Sequence, residues 1–257
     1  MDSKKKCGMC SSSEPLQNSH IIPRSYFRSL KNGCGQLYEV SSSEKVKSKL
    51  TNSDPKEELL CLNCEQFLSL TYEKYGTRLL KDEKIKYGKA FVIFKSFRYK
   101  EFYLYLISIL WRASISKIAR YDHIDLGNSI NSLLCHCVKN NTIKIQTSLR
   151  LDHFFRISLI RIKDDTKKLD DNILRKAMFD INSEPSKNRE DGVIYYFMVD
   201  GFLIIYHISC EDDTHKLRTK KNYAQISNTT NMKVPVSDIS NFKQIADGFN
   251  SIRSKSN

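Results

Sequence analysis

Two Cys-x-x-Cys pairs, Cys7-Gly8-Met9-Cys10 and Cys61-Leu62-Asn63-Cys64, constrain this 257-residue chain more than any other feature. Zinc takes four tetrahedral thiolate or imidazole ligands, and each Cys-x-x-Cys turn presents two. One shared ion therefore ties together the two ends of the first 65 residues, across 50 intervening positions between Cys10 and Cys61. The N-terminus, Met1-Asp2-Ser3-Lys4-Lys5-Lys6, carries charge with no apolar segment after it, which is unlike a secretory leader. The expected location is the cytoplasm, where eight cysteines read as metal ligands or small buried hydrophobes rather than disulfides.

The apolar runs are Phe102 to Trp111 and two stretches flanking Asp200-Gly201, each too short to cross a bilayer core of about 30 Å. No membrane partner is expected. At 40% hydrophobic the chain has enough apolar surface for a core. Between the cysteine pairs, Ser41 to Lys49 is polar and reads as a loop. A helix is expected to leave the second pair, with Phe67, Leu68, Thr71 and Tyr75 near helical spacing. A longer one, Tyr99 to Lys117, repeats Phe102, Leu106, Ile109, Leu110 and Ala113 on one face and is mostly apolar around Trp111.

Further along, Ser129 to Val138 and Lys168 to Phe179 read as helices. Alternation predicts strands over Thr142 to Leu151 and Phe155 to Ile162. Val193 to Val199 and Phe202 to Ile208 flank Asp200-Gly201, a strong hairpin signal. The stretch after about Asp212 is a polar tail. This organisation divides the chain into a zinc-stapled module at 1–95 and an α+β domain at 96–257, the latter built on a long apolar helix and an antiparallel β-meander.

Between the cysteine pairs stands Asn18-Ser19-His20-Ile21-Ile22-Pro23-Arg24. A Cys-x-x-Cys, then His-Ile-x-Pro, then a Cys-x-x-Cys opening a helix resembles the zinc-stapled HNH endonucleases of the ββα-metal group. The likeness covers residues 7 to about 80. It implies an α+β chain with an N-terminal ββα-metal or treble-clef-like zinc module, a structural Zn2+ on Cys7, Cys10, Cys61 and Cys64, and His20 as the general base that deprotonates water. It also implies a catalytic Mg2+ or Mn2+. The sequence departs from the family where that ion is held: Ser19 stands where Asp or Glu is usual, and Glu65 where Asn is frequent. Glu65 is the candidate ligand, with Asn18 or Glu73 beside it.

Each assignment has a plainer counterpart. His20 is also readable as a zinc ligand or a packed histidine, and Glu65 as a charge favoured by a helix N-terminus. Glu73 fits a solvated helix face. Arg24 and Arg28 follow the motif and suit phosphate contacts, or plain surface charge. Cys135-His136-Cys137 is not a metal site on a helix, because neighbouring side chains diverge by about 100°; Cys137 is expected in the core and His136 outside. Trp111-Arg112 reads as a core anchor with an ion pair.

The net charge of +13 and pI near 9.3 suit a polyanionic partner, DNA before RNA. Two function classes follow: a metal-dependent endonuclease, or a zinc-stabilised module that binds nucleic acid or a protein without catalysis. A protein partner or a second copy of the chain is compatible with both. The segment Leu106 to Ser114 is similar to one in bacterial proteins with an N-terminal zinc-knuckle module, some of them in phage defence, and assigns no residue a role.

Overall fold

A computed structural model describes residues 5–31, 37–39, 49–51, 54–82, 86–87, 90–185, 192–208 and 224–254. Most of the polar insert at 41–49 and the first part of the polar tail lie outside these residues.

The chain is mixed α+β. Strand β1 (Leu16–His20) pairs antiparallel with β4 (Lys56–Cys61). Their register sets Leu16 opposite Cys61 and His20 opposite Lys56, with a bulge at Gln17/Asn18. Between them come α1 (Arg24–Leu30), begun by Pro23, and the antiparallel pair β2 (Leu37–Glu39) and β3 (Lys49–Thr51). Proline suits a helix start because its missing N–H is one the first turn cannot use.

From Cys61 the backbone turns directly into α2 (Leu62–Leu68), continues through a π-helical turn (Ser69–Glu73) and runs on as α3 (Lys74–Lys81). A π-turn inserts one residue into the helix and so rotates the side chains that follow. Here it presents Tyr72 inward, donating its hydroxyl to the Val138 carbonyl at 2.6 Å, and sets Glu73 against Arg112.

Helix α4 (Tyr99–Ile115) is buried along nearly its whole length, from Tyr99 to Ala113. A helix apolar all round has no solvent face to offer and belongs at the centre. It packs on α3 and on α5 (Gly127–Lys139). Gly76 permits the close approach to α3, since a Cβ there would meet the Tyr105 ring at 2.2 Å. Trp111 is buried, Cys137 lies in the core and His136 is exposed.

A seven-stranded sheet completes the molecule. With β5 (Lys86–Tyr87), β6 (Phe91–Phe94), β7 (Phe155–Lys163), β8 (Phe179–Pro185), β9 (Val193–Val199), β10 (Phe202–Ile208) and β11 (Met232–Asp238), its order is β5-β6-β11-β7-β10-β9-β8. All neighbours are antiparallel except β11 and β7. Asp200 and Gly201 turn the β9–β10 hairpin with φ of 51° and 75°, as a type I′ turn requires.

One face of the sheet, including Ile157, Leu159, Ile204 and Tyr206, packs into the core that holds α4. The Tyr206 hydroxyl donates to the Leu106 carbonyl at 2.8 Å. The opposite face, with Ile160, Ile162 and Leu203, is covered by Leu174 of α6 (Asp171–Arg175) and by Ile245 and Phe249 of α7 (Lys243–Ser254). The polar stretch past Asp212 thus supplies a strand and a helix. The main core runs without a break from Cys7 and Cys61 to Val234.

Two elements differ from their predicted form. Thr142 to Leu151 is a tight loop with a single bridge between Lys144 and Arg150, because Ile145 and Leu149 close it with a 2.8 Å backbone hydrogen bond. The helix expected over Lys168 to Phe179 is only α6: Asp170 caps it by accepting from the Ile173 amide, and Phe179 is taken by β8 opposite Met198. No helix among the described residues is long and apolar enough to cross a membrane.

Candidate functional site

The β1–β4 ribbon has two chemically different ends. At the first, the turn Cys7–Cys10 meets the junction of β4 and α2. The sulfurs of Cys7, Cys10, Cys61 and Cys64 all lie within 4.8 Å of one another. Cys10 Sγ is 3.7 Å from Cys61 Sγ. Zinc–sulfur bonds of about 2.3 Å in a tetrahedron give sulfur separations of about 3.8 Å, so the donor set fits a zinc ion.

Backbone hydrogen bonds also shape this end. The Gly8 amide donates to the Leu59 carbonyl at 3.0 Å, and the Cys61 amide donates to Cys7 Sγ at 3.3 Å. Ser12 holds the Cys10 thiol down to about 6 through its hydrogen bonds, while burial pushes Cys61 and Cys64 up. Three of the four thiols are buried. Cys135 of α5 lies against this knuckle, its thiol 3.6 Å from the Met9 carbonyl, and is not one of the four.

At the other end of the ribbon is His20. Its Nε2 lies 3.5 Å from Asp54 Oδ2, and Asp54 Oδ1 lies 3.2 Å from the Lys31 ammonium. The first contact is an ion-pair distance, at the limit for a hydrogen bond. The Asp54 side chain is 9% exposed and that of His20 17%. Burial lowers the His20 pKa from its ordinary 6.5, Asp54 opposes that shift, and Arg24 and Lys56 add to it. The shift favours the neutral imidazole, with Asp54 and several cations around it among the described residues.

The backbone of His20 is fixed from the core. Arg112 of α4, 1% exposed, donates from Nη1 to the His20 carbonyl at 2.8 Å, and the same nitrogen pairs with Glu73 Oε1 at 2.8 Å. Its Nε donates to the Ser108 carbonyl at 3.2 Å. A guanidinium this deep requires such partners. Arg112 thus joins the strand end, the π-turn and the central helix at one point.

Of the other residues read from the sequence, Arg24 and Arg28 are exposed on α1. Asn18 is exposed on β1. Ser19 is 1% exposed and turns its hydroxyl to the Gln17 carbonyl at 3.3 Å. Glu65 is half-buried in the first turn of α2, with one carboxylate oxygen buried and unbonded among the described residues. The four cysteines are the only group of three or more His, Cys, Asp or Glu side chains that converge on a metal-sized space among the described residues. His20, Asp54 and Glu65 do not form a second one.

Asp54 and Lys31 escaped the sequence reading, which expected an ion pair at Arg112 without naming Glu73 as its partner. Arg112 had a signal, being a cation that directly follows the apolar run Phe102 to Trp111. Asp54 had none until strand pairing put Lys56 opposite His20. Comparison of the chain with profiles of protein families, with curated proteins and with solved structures finds no match.

Proposed function

We propose that this chain is an endonuclease that hydrolyses phosphodiester bonds, in DNA before RNA, with His20 as general base. The observation that carries this reading is the placement of His20: at the end of a zinc-stapled β-hairpin that feeds a helix, beside Asp54 and between Arg24 and Lys56. The HNH resemblance supplies the role of base for His20; Asp54 and Lys56 are neighbours it does not name.

A neutral imidazole accepts a proton from water as the water oxygen bonds to phosphorus. The bond from phosphorus to the sugar oxygen breaks, solvent protonates that oxygen, and the imidazolium returns its proton to solvent. Asp54 at Nε2 favours the tautomer that leaves Nδ1 as the base, and stabilises the cation formed. Arg24 and Lys56 suit the incoming backbone, and the net charge of +13 attracts it. The zinc holds the ribbon and takes no part in the reaction.

The same resemblance implies a catalytic Mg2+ or Mn2+, and the residues near His20 do not fit one. Asp54 is already matched to Lys31, Glu73 to Arg112, and the Ser19 hydroxyl faces the backbone. No step above passes through such an ion.

The test is nicking of supercoiled plasmid, and cleavage of single-stranded DNA and RNA, by zinc-loaded protein. His20→Ala abolishing cleavage supports the reading; cleavage at wild-type rate in that variant removes His20 as base. The buried Ser19 favours a second reading, a non-catalytic nucleic-acid-binding module. Salt-sensitive binding with no cleavage of any substrate selects it.

A further inference from the structure

We propose that the Lys31 ammonium, held on Asp54, fills the electrostatic role of the catalytic cation at His20, so that this site handles a phosphodiester without a divalent ion. The inference rests on the reading of His20 as a hydrolytic base.

A hard divalent cation needs converging oxygen ligands, with at least one carboxylate free to bind it. Among the described residues the one carboxylate in contact with His20 is Asp54, and its two oxygens face His20 Nε2 at 3.5 Å and Lys31 Nζ at 3.2 Å. A magnesium ion bound there would sit against an ammonium of like charge. No third ligand joins His20 and Asp54 among the described residues. Arg24 and Lys56 also act on His20, so the site balances one carboxylate against three cationic side chains. Such a balance repels a metal ion and attracts a phosphate.

Lys31 is well placed for that phosphate. It follows the last residue of α1, whose first turn carries Arg24, so the two cations stand at opposite ends of one short helix, Arg24 acting on His20 and Lys31 on Asp54. Its side chain is 26% exposed, which leaves it reachable by substrate. An ammonium has three donors, and Asp54 holds it as an ion pair at 3.2 Å. Among the described residues it has no other partner, so its donors suit a non-bridging oxygen or the leaving sugar oxygen, where a lysine acts as a point charge. The bond changes stay those given above: one proton from water to His20, one P–O bond made, one broken, and the leaving oxygen protonated from solvent.

The test uses the full chain loaded with zinc, in buffers stripped of other metals. Electron paramagnetic resonance with added Mn2+ is expected to show no bound ion; binding that disappears in Asp54→Asn overturns the proposal. Anisotropy titrations with a short DNA duplex are expected to show Lys31→Ala lowering the slope of log affinity against log salt by about one, with Lys31→Arg keeping it. An unchanged slope in a folded Lys31→Ala, judged by its zinc content and circular dichroism, overturns it too. Nicking is expected in metal-stripped buffer, reduced at least tenfold in Lys31→Ala and partly kept in Lys31→Arg, a loss of about one decade for one charged contact. Nicking that appears only with Mg2+ overturns this inference and leaves the nuclease reading standing. Absence of nicking in every buffer overturns the nuclease reading and this proposal with it.

Discussion

The two ends of the β1–β4 ribbon are held by opposite means. Where Leu16 faces Cys61, four sulfurs gather around one metal-sized space and three of the thiols are buried. Where His20 faces Lys56, the contacts are charges: Asp54, Lys31, and from below Arg112 with Glu73. Four residue steps of about 3.3 Å separate the two, on the order of 13 Å. At that distance an ion held by the four sulfurs would not touch His20. The comparison teaches that a sulfur cluster and a charged histidine site on one ribbon are separable, so each can be altered without touching the other.

The largest break of that comparison is Cys61→Ser. It leaves three thiols, and structural zinc supplies folding free energy directly. Zinc per chain is expected to fall well below one, with the melting temperature lowered by about 10 °C or more. Zinc assay and thermal melting check both. A full complement of zinc with unchanged melting would show that the cysteines pack without a metal.

Next is Arg112→Met, which keeps volume but removes the donor to the His20 carbonyl and leaves Glu73 uncompensated in its half-buried place. Breaking such a pair costs about 3 kcal/mol. Denaturant unfolding measures it, and zinc content should stay at one per chain because Arg112 touches the other end. A drop in zinc would mean that the two ends are not independent.

A smaller effect is expected from Asp54→Asn. The carboxylate raises the His20 pKa against burial, Arg24 and Lys56, so its removal moves that pKa further down from the ordinary 6.5. Because the folded value lies below the unfolded one, the contribution of His20 to stability is intact above pH 6.5 and is lost as pH falls from there through the folded pKa. NMR titration of the histidine ring carbons follows the shift. An upward movement would exclude Asp54 as the counter-charge. The smallest change is Arg24→Ala, expected to lower the salt slope of DNA binding by about one while leaving zinc and melting unchanged.

Much of this architecture was legible in the residues. The cysteine spacing gave the staple, Asp200-Gly201 the hairpin, and the apolar run of α4 its central position. What was not legible depends on long-range pairing. Asp54 reaches His20 only because the strand that follows it returns antiparallel beside β1, across a segment whose polar composition fixes no geometry. Glu73 looked like a solvated residue because the spacing assumed a regular α-helix; the π-turn that contains it faces it to Arg112. The loop at 142–151 shows the converse error, in which alternation came from side chains packing around a turn. Strand β11 was hidden because lysine, proline and serine interrupt Met232 and Val234, the residues that bury.

The proposed role of His20 as base, at the end of the ribbon away from the four cysteines, is open to one direct test. The direct measurement is cleavage of plasmid DNA by a His20→Ala preparation whose zinc has been counted. The prediction is one zinc per chain, the melting temperature within a few degrees of wild type, and no cleavage above background. Zinc lost together with His20 would make the histidine part of the staple, and cleavage at the wild-type rate would leave it a packed side chain; either result contradicts the account.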